Sequence, residues 1–148
     1  MISGNKKLSD DVLARVSHIS PLVSEDKEIL ALYFFGSGAQ NCLRPLSDLD
    51  FGILLSNRLN KRQKFDKQIE WLGRMNDFFR TDKIDLVVLN DAPPRFSFNI
   101  LKYANLLFFR DKKAIIDFRE QVLNYYLDFK YFREDFDRVF LEGIGYHG

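Results

Sequence analysis

The sequence has few of the features that mark secreted or membrane proteins. Its single cysteine, Cys42, cannot form an intramolecular disulfide and excludes a cysteine-based zinc site. No stretch approaches the roughly 18 consecutive apolar residues of a transmembrane helix, and no apolar run of signal-peptide length follows Met1. We therefore expect a cytoplasmic protein.

An excess of either charge is also missing. The 22 Lys and Arg residues nearly balance the 21 Asp and Glu residues, which leaves a net charge of +1. Proteins that bind nucleic acids through bulk charge are strongly basic, so we expect no direct nucleic-acid contact and no membrane contact. With no repeat and no linker-like stretch, we expect one domain over residues 1–148.

Short apolar runs alternate with helical patterns along the first three quarters of the chain. We predict strands at Leu30–Phe35, Asp48–Leu55, Ile84–Leu89 and Leu106–Phe109. We predict helices from Ser9 to about Pro21, after a cap at Ser56 or Asn57, and from Pro94 to about Tyr103. The apolar stripe expected to face the core on the helix after Asn57 is Phe65, Ile69, Leu72, Met75 and Phe79. This order indicates an α+β fold, a small mixed β-sheet flanked by helices that lie behind its polar face.

The last part of the chain is rich in aromatic residues and predicts one long helix over about 111–141. Its apolar positions alternate spacings of four and three, namely Phe118, Val122, Tyr125, Phe129, Phe132, Phe136 and Val139. The residues before Phe129 are expected to pack on the sheet. The turns beyond it extend further than a small sheet can cover, and exposed aromatic stripes of this kind are typical of protein interfaces.

The strongest chemical signal combines a Gly-Ser pair with three carboxylates. Gly36-Ser37 ends the first predicted strand, and ten residues later Asp48-x-Asp50 opens the second. Alternate residues of a strand point to the same face, so Asp48 and Asp50 share one face. Asp85 lies near the start of a third strand. At typical residue frequencies, the Gly-Ser-x10-Asp-x-Asp pattern arises by chance in about one chain in several hundred of this length.

Three converging carboxylates require a cation. Two unit charges about 4–5 Å apart repel each other by roughly 3–4 kcal/mol at an effective dielectric constant near 20. Carboxylate oxygens suit Mg²⁺, and carboxylate-bridged ions stabilise the attacking and leaving oxygens of a nucleotidyl transfer. The Gly36-Ser37 turn supplies a backbone that can approach a phosphate closely and a hydroxyl that can donate to it.

At these residues the chain resembles the nucleotidyltransferase superfamily that includes DNA polymerase β. Within it, the chain is most similar to the minimal nucleotidyltransferases (MNT) that are paired with HEPN ribonucleases in prokaryotic toxin–antitoxin modules. The likeness covers Leu32–Ser37, Ser47–Phe51, Lys83–Val88, Leu106–Asp111 and Tyr126–Lys130. It implies a polymerase-β-like fold with a long C-terminal helix.

The resemblance also implies roles for the individual residues. Gly36 and Ser37 would hold the ATP triphosphate, and Asp48 and Asp50 would bind Mg²⁺. Asp85 would be a further metal ligand or the general base for the incoming hydroxyl. Members of the antitoxin branch transfer AMP from ATP to a tyrosine of the HEPN toxin. The resemblance therefore implies an adenylyltransferase antitoxin, and we expect its aromatic C-terminal helix to contact the toxin.

One segment departs from the family pattern and keeps alternatives open. The family usually continues Gly-Ser with Arg or Tyr, then Ala, Arg and Gly, whereas this chain has Gly38-Ala39-Gln40-Asn41. The loss of basic residues leaves room for a non-catalytic antitoxin that neutralises its toxin by direct binding. A nucleotidyltransferase for a small molecule is a further alternative, although the chain offers little length for a substrate-binding region. The Arg-x4–6-His signature of HEPN ribonucleases is absent, so the chain is not the toxin.

Overall fold

The structure is a computed structural model that describes residues 14–35 and 49–143, with side chains as far as Asp128. The strands are β1 (Ile29–Phe34), β2 (Leu49–Leu55), β3 (Ile84–Val88) and β4 (Asn105–Phe109). The helices are α1 (Ser20–Ser24), α2 (Lys61–Phe79), α3 (Pro94–Tyr103) and α4 (Lys112–Gly143), and a 3-10 turn spans Leu89–Asp91. Residues 14–16 are also helical.

The four strands form one mixed sheet in the order β3-β2-β1-β4. β1 lies in the middle and pairs antiparallel with both β2 and β4. β2 and β3 are parallel, as the intervening helix α2 allows, because parallel neighbours need a long crossover connection. The α+β fold with a mixed sheet is therefore confirmed.

One face of the sheet carries the larger core. Its strand residues alternate with those of the opposite face, as the two-residue period of a strand requires. The buried cluster on this face consists of Val16, Ile19, Val23, Ile29, Leu32, Phe34, Phe51, Ile53, Leu55, Trp71, Met75, Phe79, Ile84, Leu86 and Val88. The helical residues before β1 and helix α2 thus cover this face.

The opposite face carries a second, smaller core under α3 and α4. Its buried members are Ala31, Tyr33, Leu54, Leu89, Ile100, Ile115, Phe118 and Val122. The sheet is therefore covered on both faces. The prediction of a sheet flanked by helices is confirmed, and α3 and α4 pack on the face that Asp50 and Asp85 share.

A polar network joins the α1–β1 connection to α2. The Asp26 carboxylate accepts hydrogen bonds from Lys67 Nζ at 2.7 Å, from Trp71 Nε1 at 2.8 Å and from the Glu28 backbone N–H at 3.0 Å. Burial opposes the charged form of Asp26, but the hydrogen bonds from Lys67, Trp71 and Glu28 outweigh it and lower the pKa of the carboxyl.

A second polar connection ties the end of β4 to the same region. The Arg110 guanidinium donates to the backbone carbonyls of Ser24 at 3.1 Å, Asp26 at 2.9 Å and Ile29 at 3.0 Å. These carbonyls lie at the end of α1 and the start of β1, so one side chain from the second half of the chain fixes the entry into the central strand.

Most predicted elements are confirmed within one or two residues, including α3 and the long helix α4. Three details are wrong. Helix α2 begins at Lys61 and is capped by Asn60, not by Ser56 or Asn57. Pro21 lies in the first turn of α1 and does not end a helix, since a proline is tolerated at that position. On α2, Phe65 and Ile69 are exposed, and Trp71 takes their expected place in the core.

Only the first part of the predicted seam along α4 has described side chains. Phe118 and Val122 are buried as expected, whereas Tyr125 is 62% exposed. The seam positions from Phe129 onward lie outside the described side chains. Among the helices that the structure describes, none combines the length and apolarity needed to cross a bilayer.

Candidate functional site

Two of the three predicted carboxylates lie side by side on adjacent strands. In the parallel pairing of β2 with β3, Leu49 is opposite Ile84 and Asp50 is opposite Asp85. Neighbouring strands are about 4.8 Å apart, so the two backbone positions are as close as a sheet allows. Residues 35 apart in the sequence therefore meet at one point of the fold.

Both side chains emerge on the same face of the sheet. Their strand neighbours Phe51 and Leu86 point into the larger core on the other face, and strand residues alternate between faces. Asp50 is half-buried and Asp85 is exposed. A ligand approaching this face can therefore reach Asp85 directly and Asp50 beside it.

The backbone at Asp50 is held by both neighbouring strands. Phe35 donates its backbone N–H to the Asp50 carbonyl at 2.9 Å, and Leu49 donates to the Lys83 carbonyl at 2.8 Å. The end of β1 and the start of β3 thus flank Asp50 at fixed distances. A carboxylate on such a paired strand is positioned more rigidly than one on a loop.

The other predicted site residues, Gly36, Ser37 and Asp48, lie outside the described residues. Gly36 follows Phe35 directly in the sequence, and Asp48 directly precedes Leu49. Gly36 is therefore bonded directly to Phe35, whose backbone N–H donates to the Asp50 carbonyl. Asp48 is bonded directly to the first residue of β2.

An aromatic contact that the sequence did not predict lies next to this site. Phe35 and Phe96 meet edge to face, with ring centroids 5.5 Å apart. Phe96 belongs to α3, so the contact places the first turns of that helix beside the end of β1. Edge-to-face pairs of this kind are favourable. No local sequence signal links these two residues, because they are far apart along the chain.

Tyr33 and Gly52 are directly opposite each other on the same face of the sheet. Tyr33 is only 4% exposed, and its hydroxyl has no hydrogen-bond partner among the residues that the structure describes. Burial raises the pKa of Tyr33, and the nearby Arg119 charge opposes this only in part. Gly52 leaves room for Leu89, since a Cβ on Gly52 would lie 2.9 Å from Leu89 Cδ2.

Asp50 and Asp85 offer carboxylate oxygens, the ligand type that hard divalent cations prefer. At a separation of about 5 Å and an effective dielectric constant of about 20, two carboxylates repel by about 3 kcal/mol, and by less where water screens the exposed one. Mg²⁺ is commonly bound by one or two carboxylates together with substrate phosphates, which fits Asp50 and Asp85. Among the side chains that the structure describes, no group of three His, Cys, Asp or Glu could hold a metal ion.

A cleft of about 590 Å³ lies elsewhere, between the 3-10 turn and α4. It is lined by Leu54 of β2, which is four residues, or about 13 Å, along the strand from Asp50. Lys64 crosses it to pair with Asp91 at 2.9 Å. Neither Asp50 nor Asp85 lines this cleft. We therefore do not assign the carboxylate chemistry to it.

Comparison with known proteins identifies the fold and the family. The family model "Polymerase beta, Nucleotidyltransferase" matches residues 17–113, which include both strands of the carboxylate pair. No curated protein matches the sequence.

Several solved structures have the same fold. A crystal structure of a toxin–antitoxin with AMP-PNP has a TM-score of 0.60 at 18% identity and covers 85% of this chain and 98% of the other. A structure of the toxin–antitoxin MntA–HepT gives 0.61 at 18% identity, with 86% and 98% covered. A structure of the tri-AMPylated Shewanella oneidensis HEPN toxin in complex with MNT antitoxin gives 0.58 at 16% identity, with 87% and 98% covered.

Proposed function

Because the chain belongs to the polymerase β nucleotidyltransferase family, we propose that it is a Mg²⁺-dependent adenylyltransferase that uses ATP. Its target is a tyrosine of a HEPN ribonuclease, and it acts as the antitoxin of that toxin in the cytoplasm. The observation that carries the proposal is the register of Asp50 with Asp85 on one face of adjacent strands.

In this proposal, one set of site residues binds the metal ion and another binds the nucleotide. Asp50 and Asp85 would hold Mg²⁺ together with Asp48, which directly precedes β2 in the sequence. Gly36 and Ser37 hold the triphosphate of ATP through backbone and hydroxyl donors. When bound, Mg²⁺ neutralises charge on the phosphates and on the leaving pyrophosphate.

Asp85 is also the better placed of the two described carboxylates to act on the incoming hydroxyl. It is exposed whereas Asp50 is half-buried, so a side chain of a second protein can reach it. In the proposed step the tyrosine oxygen forms a bond to the α-phosphorus of ATP, and the bond from that phosphorus to the bridging oxygen breaks. Pyrophosphate leaves, and the Asp85 carboxylate accepts the phenolic proton.

Two lines support the antitoxin role. The sequence resembles the MNT branch, and structures of similar fold contain a toxin–antitoxin with AMP-PNP and an AMPylated HEPN toxin with its MNT antitoxin. AMP on a tyrosine adds bulk and negative charge, which would impair an RNA-binding surface. The aromatic part of α4 is the proposed contact with the toxin.

The test is the intact mass of the HEPN protein encoded beside this chain, co-expressed with native or altered protein. The native chain should add one or more AMP groups to the partner, and Asp50→Asn and Asp85→Asn should add none. Asp66→Asn is the matched control, because Asp66 is an exposed carboxylate of α2, the helix that covers the opposite face of the sheet. AMP transfer that survives both site substitutions would refute the assignment of the site.

Neutralisation by binding alone is the second candidate, and the missing basic residues in Gly38-Ala39-Gln40-Asn41 favour it. The same co-expression separates the two functions. A partner that keeps its unmodified mass yet loses its toxicity establishes the binding-only antitoxin. Replacing Phe132 and Phe136 with Glu should abolish the complex in either case, whereas intact binding would exclude the α4 contact.

A further inference from the structure

Strand β3 ends before its partner β2 does. Each paired residue of β2 lies opposite the β3 residue 35 positions later in the sequence, from Leu49 opposite Ile84 to Ile53 opposite Val88. β3 ends at Val88, where the chain enters the 3-10 turn, whereas β2 continues to Leu55. In the described part of the sheet, β3 therefore supplies no backbone partner for the end of β2.

The side chain of Asn90 takes the place of the missing part of the strand. Leu55 donates its backbone N–H to Asn90 Oδ1 at 2.9 Å, and the Leu55 carbonyl accepts from Asn90 Nδ2 at 2.8 Å. A primary amide offers both a donor and an acceptor, as a peptide group does. These two residues are again 35 positions apart, so the amide extends the pairing of β2 with β3 in the same register.

A side-chain contact on the face of the sheet matches the same alignment. Leu89 is 2% exposed, and its Cδ2 lies 2.9 Å from the position that a Cβ on Gly52 would take. The leucine thus occupies space that any other residue at position 52 would partly fill. The β2 residues two positions away on that face are Asp50 and Leu54, so a shift by two residues would bring Leu89 against a side chain. We call Asn90, Leu89 and Gly52 the register lock.

The alignment of these strands decides whether the two carboxylates meet. A slip of one residue would turn Asp85 to the other face of the sheet, and a slip of two would move it about 6.6 Å along the strand from Asp50. β3 lies at the edge of the described sheet, where β2 is its neighbour. The Leu86 carbonyl accepts from Gln68 of α2 at 2.7 Å, which ties β3 to the helix and not to β2. Helix α2 thus brings β3 alongside β2, and the register lock holds their alignment.

We propose that the register lock keeps Asp85 opposite Asp50, and that Asn90 is a positioning residue for the AMP transfer proposed above. Asn90 acts from a distance, since Leu55 is five residues, or about 17 Å, along β2 from Asp50. The alignment itself is independent of the reaction, whereas its effect on AMP transfer rests on the proposed function. A misplacement of about 1 Å can lower an enzymatic rate about a hundredfold, so a looser register should slow the transfer.

Disulfide formation between the two carboxylate positions measures the alignment without any ligand. In a Cys42→Ser background, Asp50→Cys and Asp85→Cys place two cysteines opposite each other, at a Cα separation of about 5 Å that a disulfide can span. In a glutathione redox buffer, adding Asn90→Ala should lower the equilibrium constant for this disulfide at least about threefold. Asp26→Asn is the matched control, because it weakens the network between the α1–β1 connection and α2 and leaves the register lock intact. It should not change the constant.

The kinetics of AMP transfer to the HEPN partner give the second readout. Asn90→Ala should lower kcat at least about tenfold and leave KM for the partner unchanged, because the register lock aligns the two carboxylates and does not bind the partner. Asp26→Asn should change neither constant at a temperature where both variants are folded. Asn90→Asp keeps an acceptor for the Leu55 N–H and loses the donor, so it should show smaller changes in the same direction as Asn90→Ala.

The outcomes separate the register lock from the proposed function. A disulfide constant or a kcat that Asn90→Ala leaves unchanged overturns the proposal. An equal loss in Asp26→Asn also overturns it, since general destabilisation would then be the cause. If the native chain transfers no AMP, the proposed function fails, and the disulfide constant alone still decides whether the register lock aligns the strands.

Discussion

Removing the Asp26 carboxylate should cost this protein a large part of its stability. Asp26 accepts the indole N–H of Trp71 at 2.8 Å and the ammonium of Lys67 at 2.7 Å. Trp71 is fully buried, so its indole N–H depends on this acceptor. Asp26→Ala therefore leaves a buried donor unsatisfied. It also removes the hydrogen bonds that join the α1–β1 connection to α2.

The magnitude follows from the separate contacts. An unsatisfied buried donor costs about 1–3 kcal/mol, and a hydrogen bond to a charged group contributes about 1.5–3 kcal/mol. Because the two losses share one carboxylate and are not additive, we expect about 3 kcal/mol for Asp26→Ala. For a chain of this length this corresponds to a fall in melting temperature of about 6–12 °C. Asp26→Asn keeps an acceptor for the indole and should cost about half as much.

Urea denaturation followed by tryptophan fluorescence measures the effect directly, because Trp71 is the only tryptophan. The matched control is Asp66→Ala. Asp66 pairs with Arg62 at 3.3 Å, but both side chains are largely exposed, so its removal should cost at most about 0.5 kcal/mol. An Asp26→Ala variant no less stable than Asp66→Ala would refute the reasoning.

Three further predictions concern other parts of the fold. Because the folded pKa of Asp26 is lowered, its contribution is complete above the unfolded value of about 3.9 and is lost as the pH falls through the folded value; Asp26→Asn should flatten the acid limb of stability against pH. Asn90 donates to the Leu55 carbonyl and accepts from the Leu55 N–H, so Asn90→Ala should lower the free energy of unfolding by about 1–3 kcal/mol in urea titrations, whereas an unchanged midpoint would contradict it. Gly52→Val should cost about 1–3 kcal/mol through its clash with Leu89, and Leu89→Ala should reduce that cost in the double variant; additive losses would show that the clash is not the cause.

The sequence predicted the strands of this fold better than the orientation of its helices. β1, β2 and β3 are short apolar runs with clear ends, and a two-residue period assigns their faces without knowledge of the neighbours. On α2, Met75 and Phe79 belong to two possible apolar stripes. One stripe begins at Phe65, and the other begins at Trp71. Spacing alone does not decide whether Phe65 or Trp71 joins them. Trp71 is buried in the larger core, where its indole N–H donates to Asp26, 45 residues away, and local patterns carry no record of these contacts.

The candidate site was predictable in its residue types and not in its geometry. Asp50 and Asp85 could be named because carboxylates in strands near a Gly-Ser turn are typical of metal-dependent phosphoryl chemistry. Their meeting depends on the parallel register of β2 and β3, which arises from the length and packing of α2. The Phe35–Phe96 contact beside them depends on the path of α3 across the sheet, which no spacing in the sequence specifies.

The position of β1 in the sheet has a consequence for how the protein is made. β1 pairs on one side with β2, which follows soon after it, and on the other side with β4, which begins about 70 residues later. At about 5–20 residues per second, a ribosome leaves that second edge without its partner for roughly 4–15 s. Unpaired apolar edges readily pair with other chains.

The hydrogen bonds of Arg110 depend on the same delay in synthesis. Arg110 follows β4 directly and is the residue that holds the carbonyls of Ser24, Asp26 and Ile29. The entry into β1 therefore gains its last hydrogen bonds only when the fourth strand has been synthesised. During that interval the order of synthesis favours the β2–β3 pair, so the strands carrying Asp50 and Asp85 can associate before the central strand is enclosed on both sides.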